Sequence, residues 1–161
     1  MLTKIRRATQ RDHDAICLLA EEINVQHHAH SPHVFAAPPG IERDAEFWRT
    51  AIDDTEGMLL LSMIDHRVVG LLRAKILLPS ETSFLRTRQV CHVGTVVVTA
   101  SMQGQGIGKQ LLDAIEQWAK IMAAEEIRLE VFEANDKAIG FYDAAGFGLQ
   151  SRIMTKTLLT S

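Results

Sequence analysis

Residues 96–112 read V-V-V-T-A-S-M-Q-G-Q-G-I-G-K-Q-L-L. A β-branched run, Val96 to Thr99, comes first, and a turn with Gly104, Gly106 and Gly108 follows. Ile107, Leu111, Ile115, Trp118 and Met122 then recur at helical spacing. The stretch therefore predicts a strand, a glycine turn and a helix, in that order. The first turn of a helix has N–H groups without intrahelical partners, and they carry a partial positive charge. Glycines there keep Cβ atoms out of the way, so an anion, by default a phosphate, can come close.

Three phosphate-loop patterns compete for the turn. A P-loop needs G-x-x-x-x-G-K-[ST]. Gln103 stands where its first glycine belongs, and Gln110 replaces its hydroxyl residue. A dinucleotide fingerprint needs G-x-G-x-x-G. Lys109 takes the third glycine's place, although Glu130 could imitate the ribose-binding acid of that fold. The spacing that fits is Q-x-x-G-x-G, as Gln103, Gly106 and Gly108. A glycine-rich helix start with no ligand is the plain structural alternative.

At 161 residues the chain suits one domain with one core. Its formal charge of −3 gives no nucleic-acid footprint. No apolar run reaches the roughly 20 residues that cross a bilayer. The opening M-L-T-K-I-R-R-A-T-Q is charged where a signal peptide would be apolar, so a cytoplasmic protein is expected. Cys17 and Cys91 stand apart in apolar surroundings, as buried free thiols do in a reducing compartment.

Outward from the glycine turn, residues 2–7 predict a first strand and Thr9-x-x-Asp12 a capping box. Helix one carries Ile16, Leu19, Ala20 and Ile23 on one face and ends near residues 24–26. The run H-H-A-H-S-P-H, residues 27–33, reads as a polar loop; its histidines suggest a metal site only weakly, because Pro32 breaks regular spacing. Helix two is expected over residues 41–52, with Ala45, Phe47, Trp48 and Ile52 as its apolar side. Residues 58–64, almost wholly apolar, predict a strand covered on both faces. Asp65, His66 and Arg67 turn the chain into a partner strand over 68–77, and residues 90–98 form the strand before the glycines. Helix three is expected over 107–124 and a strand over 127–132. Helix four is capped by Asn135 and closed by Gly146, and a last strand spans about 152–158.

Two more stretches join the glycine turn. Residues 129–147 read L-E-V-F-E-A-N-D-K-A-I-G-F-Y-D-A-A-G-F, and residues 5–12 read I-R-R-A-T-Q-R-D. With Q-x-x-G-x-G they resemble, in order and over nearly the whole chain, the motifs of the GNAT superfamily of N-acetyltransferases. Asn135, Ala138, the pair Phe141–Tyr142 and the pair Gly146–Phe147 match its second signature.

The resemblance implies an α+β (mixed α/β) fold in a single domain over residues 1–161. Its central sheet would be mixed, mostly antiparallel and of six to seven strands, flanked by four helices. It implies transfer of an acetyl group from acetyl-CoA, as co-substrate, to a primary amine of a small molecule or protein. No metal is expected, and neither a nucleic acid nor a membrane is expected as a partner. A homodimer is implied, since family members are often dimers.

The chemistry sets the parts required. An alkylammonium, with an ordinary pKa of about 10.4, must lose a proton before it can attack. The thioester oxygen gains charge and needs a donor, and the departing thiolate needs a proton. By the resemblance, Tyr142 protonates the sulfur, and a backbone N–H within Val96, Val97 and Val98 faces the oxyanion. The pantetheine arm pairs with the same strand edge. The pyrophosphate lies on Gln103, Gly104, Gln105, Gly106, Ile107, Gly108 and Lys109, while Asn135 bonds the pantetheine or seats helix four. Counting back from Gln103, His92 falls where some members place a glutamate base; His92 or an ordered water takes the proton. The acceptor cleft would be walled by the 27–40 loop with His28, His30 and Phe35, by helix two, by His92 and by the 79–88 loop. From other classes, a non-catalytic acyl-CoA sensor and a nucleotide-binding module remain open.

Overall fold

The computed structural model describes residues 3–78, 84, 86 and 88–158. They fall into two compact units, Met1–Glu130 and Val131–Ser161.

The first unit is built on a sheet ordered β1-β2-β3-β4-β5: Lys4–Arg7, Gly57–Ile64, Arg67–Leu77, Val90–Val98 and Glu126–Leu129. The first three pairings are antiparallel, and β4 and β5 run parallel. The β2–β3 hairpin turns on Asp65 and His66, both at positive φ (46° and 65°). Two left-handed residues in a row give the two-residue turn whose twist matches that of the strands. Helices α1 (His13–His30) and α2 (Ala45–Asp53) cover one face. Ile16, Leu19, Trp48 and Ile52 pack there with Leu59, Leu61, Leu71 and Val97 in one buried cluster. Helix α3 (Ile107–Ile121) covers the other face with Ile107, Leu111 and Ile115 fully buried. Gly70 on β3 makes that approach possible. A Cβ there would stand 3.1 Å from Leu111 Cδ1 and 3.2 Å from both Ile107 Cγ2 and Ser62 Cβ.

The second unit holds α4 (Asp136–Ala144). Asn135 caps it, its side chain accepting from the Ala138 N–H at 3.1 Å. Gly146, at φ +89°, ends it in a Schellman turn: the Phe147 N–H donates to the Tyr142 carbonyl and the Gly146 N–H to that of Asp143, both at 3.0 Å.

Several expectations are corrected. Among the described residues the sheet has five strands rather than six or seven. Residues 152–158 form no strand, and Ile153, Met154 and Leu158 are at least 72% exposed. Neither alternating face of that segment is apolar throughout, and a strand exists only where a neighbour takes up its N–H and C=O groups. The fifth strand stops at Leu129 instead of residue 132. Helix α1 runs on to His30, so three of the clustered histidines occupy its last turn and not a loop. Ser31 is its C-cap, and Pro32 next to it stops the helix. Helix α2 begins at Ala45 rather than 41; Phe47 is 49% exposed, and Ala51 is buried with Trp48 and Ile52. Helix α3 ends at Ile121, three residues early. Leu2 of the first strand and most of the 79–88 loop lie outside the described residues. No helix among the described residues is long and apolar enough to cross a membrane.

Candidate active site

The glycine corner folds as its composition requires. Gly104 (φ +77°) and Gly106 (φ +80°) are both left-handed, and nothing lies within 4 Å of where either Cβ would be. Gly106 is the N-cap of α3, and the first N–H to return to it is that of Gln110, at 3.1 Å. The N–H groups of Ile107, Gly108 and Lys109 therefore face outward from the first turn. The Lys109 ammonium lies 2.7 Å from Asp113 one turn along.

Three side chains hold this corner. Gln103 donates its amide to the Val98 carbonyl at 3.0 Å, which closes the chain back onto β4. Gln110 accepts from the Thr3 N–H and hydroxyl, both at 3.2 Å, and Ser62 donates to that hydroxyl at 2.7 Å, so α3 is tied to β1 and β2. Glu22 on α1 accepts from the Thr99 hydroxyl at 3.0 Å and from the Ala100 N–H at 2.6 Å. No spacing in the sequence marks Glu22, because its partners lie 77 and 78 residues away.

The strand leading to the corner is bare along one edge. β4 pairs with β3 along its whole length, but with β5 only from Val90 to Val93. From Gly94 to Val98 that second edge has no strand partner among the described residues. The pairing stops where the register shifts. Arg73 faces Thr95 and Ala74 faces Val93, so Gly94 is the extra residue of a bulge. Val96, Val97 and Val98 thus form the segment beside the glycine corner whose second edge no described strand covers, with the Val98 carbonyl taking the Gln103 amide.

His92 lies just before this bulge, opposite Lys75 on β3, and is half-buried. Its backbone is part of the sheet, and its ring makes no hydrogen bond to a described residue. A Cβ on Gly94 would lie 3.9 Å from its Nδ1 and 3.6 Å from Arg73 Nη1. Arg73 in turn rests over the Phe47 ring, 5.0 Å from its centre. Nearby, α2, the loop after it and β3 form an open groove of ≈ 590 Å³ lined by Glu46, Arg49, Thr50, Asp53, Asp54 and Lys75. Arg73 and Phe47 were not legible as a pair, since a strand arginine and an amphipathic-helix phenylalanine carry no common motif.

The histidine cluster is a packing and hydrogen-bonding arrangement at the end of α1. His27 stacks on Phe35 at 4.5 Å, and burial, with the nearby His30 second, lowers its pKa. His28 donates Nδ1–H to the Phe35 carbonyl at 2.9 Å, while His30 is exposed. Among the described residues no group of three or more His, Cys, Asp or Glu side chains is arranged to hold a metal ion. Cys17 and Cys91 are buried free thiols, and burial pushes the Cys91 thiol up to about 11.

In the second unit Tyr142 sits on α4 with its ring against Phe141 and Phe147, at 5.1 and 5.7 Å. Burial raises its pKa above the ordinary phenol value, so the O–H stays protonated at neutral pH. Asn135 is engaged in the cap of the same helix.

A profile of the Acetyltransferase (GNAT) family matches residues 19–147. No curated protein sequence matches the chain. Among solved structures, a mutant of the BH1408 protein from Bacillus halodurans is 21% identical, with a TM-score of 0.90 over 97% of this chain and 99% of that one. The aminoglycoside N-acetyltransferase AAC(6')-Iy, in complex with CoA, is 15% identical, with a TM-score of 0.76 over 97% and 94% of the two chains. The aminoglycoside acetyltransferase meta-AAC0020, from an uncultured soil metagenomic sample and in complex with sisomicin, is 18% identical, with a TM-score of 0.70 over 99% and 97%. At these identities the likeness to solved structures is one of fold. The family profile reaches from α1 past α4 and takes in both the glycine corner and the Asn135–Phe147 signature, and on that match this chain belongs to the GNAT acetyltransferase family.

Proposed function

We propose that this chain is an acetyl-CoA-dependent N-acetyltransferase, a single catalytic domain that acetylates a primary amine of a small molecule or protein. The observation that carries the proposal is the bare β4 edge from Gly94 to Val98 running into the open glycine corner. An extended pantetheine arm, with amides spaced along it, is what such an edge can pair with. The pyrophosphate then meets the first-turn N–H groups of α3, where the helix dipole favours negative charge.

In the proposed reaction the amine nitrogen bonds to the thioester carbon and the carbon–sulfur bond breaks. The ammonium first gives up a proton to His92, directly or through a water; the His92 ring is available because it makes no hydrogen bond to a described residue. A backbone N–H of the Val96–Val98 segment donates to the oxyanion, where fixed dipoles need no reorganisation as charge develops. Tyr142 supplies a proton to the departing thiolate, whose ordinary pKa is about 8.5. The acceptor enters over Gly94, between β3, α2 and His92, and His28, His30 and Phe35 are proposed to border its approach.

The experiment is a thermal-shift series with acetyl-CoA, ATP and NAD, followed by thiol detection with an amine panel. A ligand at 100 times its dissociation constant stabilises the fold by about 2.7 kcal/mol. Acetyl-CoA is expected to raise the melting temperature and to release free CoA when an amine is added. A shift by a nucleotide alone would overturn the proposal. Binding of acetyl-CoA without thiol release for any amine would make the chain an acyl-CoA sensor.

A further inference from the structure

We infer that the amine acceptor also carries an anionic oxygen group, a carboxylate or a phosphate, and that Arg73 is the residue that selects it. The inference rests on the acetyltransferase reading and names its substrate class.

Four observations converge on Arg73. It stands opposite Thr95, immediately beside the bulge at which the β4 edge becomes free. Its guanidinium is held over the partly exposed Phe47 ring, 5.0 Å from the ring centre, so its position is set before any ligand arrives. Gly94 is exposed and without a side chain, and both Arg73 Nη1 and the His92 ring lie within 4 Å of where its Cβ would be. Finally, no described carboxylate lies within ion-pair distance of Arg73.

The neighbouring carboxylates are all engaged. Asp54 is 3.5 Å from Lys75, Glu46 is 3.5 Å from Arg49, and Asp53 accepts from the Gln10 amide at 2.8 Å. Arg49 and Lys75 thus each have a carboxylate partner, and Arg73 has none among the described residues, so Arg73 is the cation left to meet a ligand beside Gly94. A planar guanidinium fork with free N–H groups matches a carboxylate or phosphate in two parallel bonds. A polycationic acceptor would meet like charge instead. The proposed oxyanion donors lie two to four residues beyond Gly94, roughly 7–13 Å along the strand. The acceptor's anion and amine are accordingly separated by several bonds.

The test compares acceptors in pairs by CoA release: β-alanine, γ-aminobutyrate and glycylglycine, each against its amide, and O-phosphoethanolamine against ethanolamine, with sisomicin as the polycation. The wild type is expected to favour the best anionic member by about tenfold or more in kcat/KM, the range of a charge-assisted hydrogen bond. Which pair shows the preference separates carboxylate from phosphate. Arg73→Gln is expected to raise KM for that acceptor and erase the preference, with acetyl-CoA affinity unchanged; Arg73→Lys restores part of it. Equal use of the neutral partners, faster use of sisomicin, or a preference that survives in Arg73→Gln would overturn the inference. If acetyl-CoA binds and no amine reacts, the transferase reading fails. Calorimetry with CoA present then decides Arg73's role separately, comparing N-acetylglycylglycine and O-phosphoethanolamine with their neutral counterparts. An anion preference lost in Arg73→Gln supports it, and equal or absent binding overturns it.

Discussion

Glu22→Ala is expected to cost stability and acetyl-CoA affinity together, because one carboxylate joins α1 to the corner where β4 leaves the sheet. Two donors are involved, the Thr99 hydroxyl at 3.0 Å and the Ala100 N–H at 2.6 Å. A hydrogen bond to a charged group contributes about 1.5–3 kcal/mol. Ala100 is exposed and Thr99 half-buried, so water replaces much of what is lost. The low end applies, and about 2 kcal/mol for the pair is the working figure. Glu22→Gln keeps one oxygen for the Ala100 N–H and should lose about half as much. The corner's backbone is the proposed pyrophosphate seat, so binding must re-order whatever the variant loosens. If about 1 kcal/mol of ordering is drawn on, the dissociation constant for acetyl-CoA rises roughly fivefold. Urea unfolding at constant m-value gives the stability term, and titration calorimetry gives the affinity. A Glu22→Ala protein within about 0.5 kcal/mol of wild type, the usual spread of surface substitutions, with unchanged acetyl-CoA affinity, would refute the reasoning.

Four further outcomes are expected. Gly106→Ala places an L-residue at φ +80° with no steric neighbour, so backbone strain alone should cost about 1–2 kcal/mol in denaturant unfolding, and acetyl-CoA should bind more weakly in calorimetry. Tyr142→Phe should lower turnover in the thiol-release assay while leaving acetyl-CoA affinity unchanged; lost affinity would give the hydroxyl a binding role instead. His92→Ala should cut turnover at neutral pH about tenfold or more, and an unchanged pH–rate profile would remove His92 from the mechanism. Asp12 is bound by Arg6 through two bonds of 2.7 and 2.8 Å, and this pairing holds its carboxyl well below the usual range. Its stabilisation is fully present above the unfolded carboxylate's pKa of about 3.9 and is lost as pH falls towards the lowered folded value. Asp12→Asn should therefore cost about 1 kcal/mol at pH 7, discounted for exposure, and the gap to wild type in melting curves should close in acid.

Local signals carried the sequence reading a long way. Residues 90–98 were legible as β4 to the residue, since β-branched side chains followed by glycines make both the strand and its end a short-range matter. The start of α3 at Ile107, the Asn135 cap and the left-handed Gly146 are likewise written in single residue types at fixed offsets. Where the sequence reading failed, the deciding partner was remote or absent. Polarity reads the histidine run as a loop, yet its first four residues complete α1, and the Phe35 carbonyl receives His28 there. Helical periodicity puts Phe47 on the apolar side of α2, but its ring is half exposed beneath Arg73. Residues 152–158 had strand-like residues and no described strand to pair with.

By itself, then, the sequence determined the order of elements up to α4, the left-handed glycines and the helix caps, because each depends on the conformational preference of one residue or on neighbours three or four positions away. The tertiary structure alone decided the bulge at Gly94, the free edge of β4, the anchoring of the corner by Glu22 and the placement of Arg73 between Phe47 and Gly94. Those features are contacts between residues tens of positions apart, set by strand register and by which helix covers which face, and no periodicity in the chain encodes them.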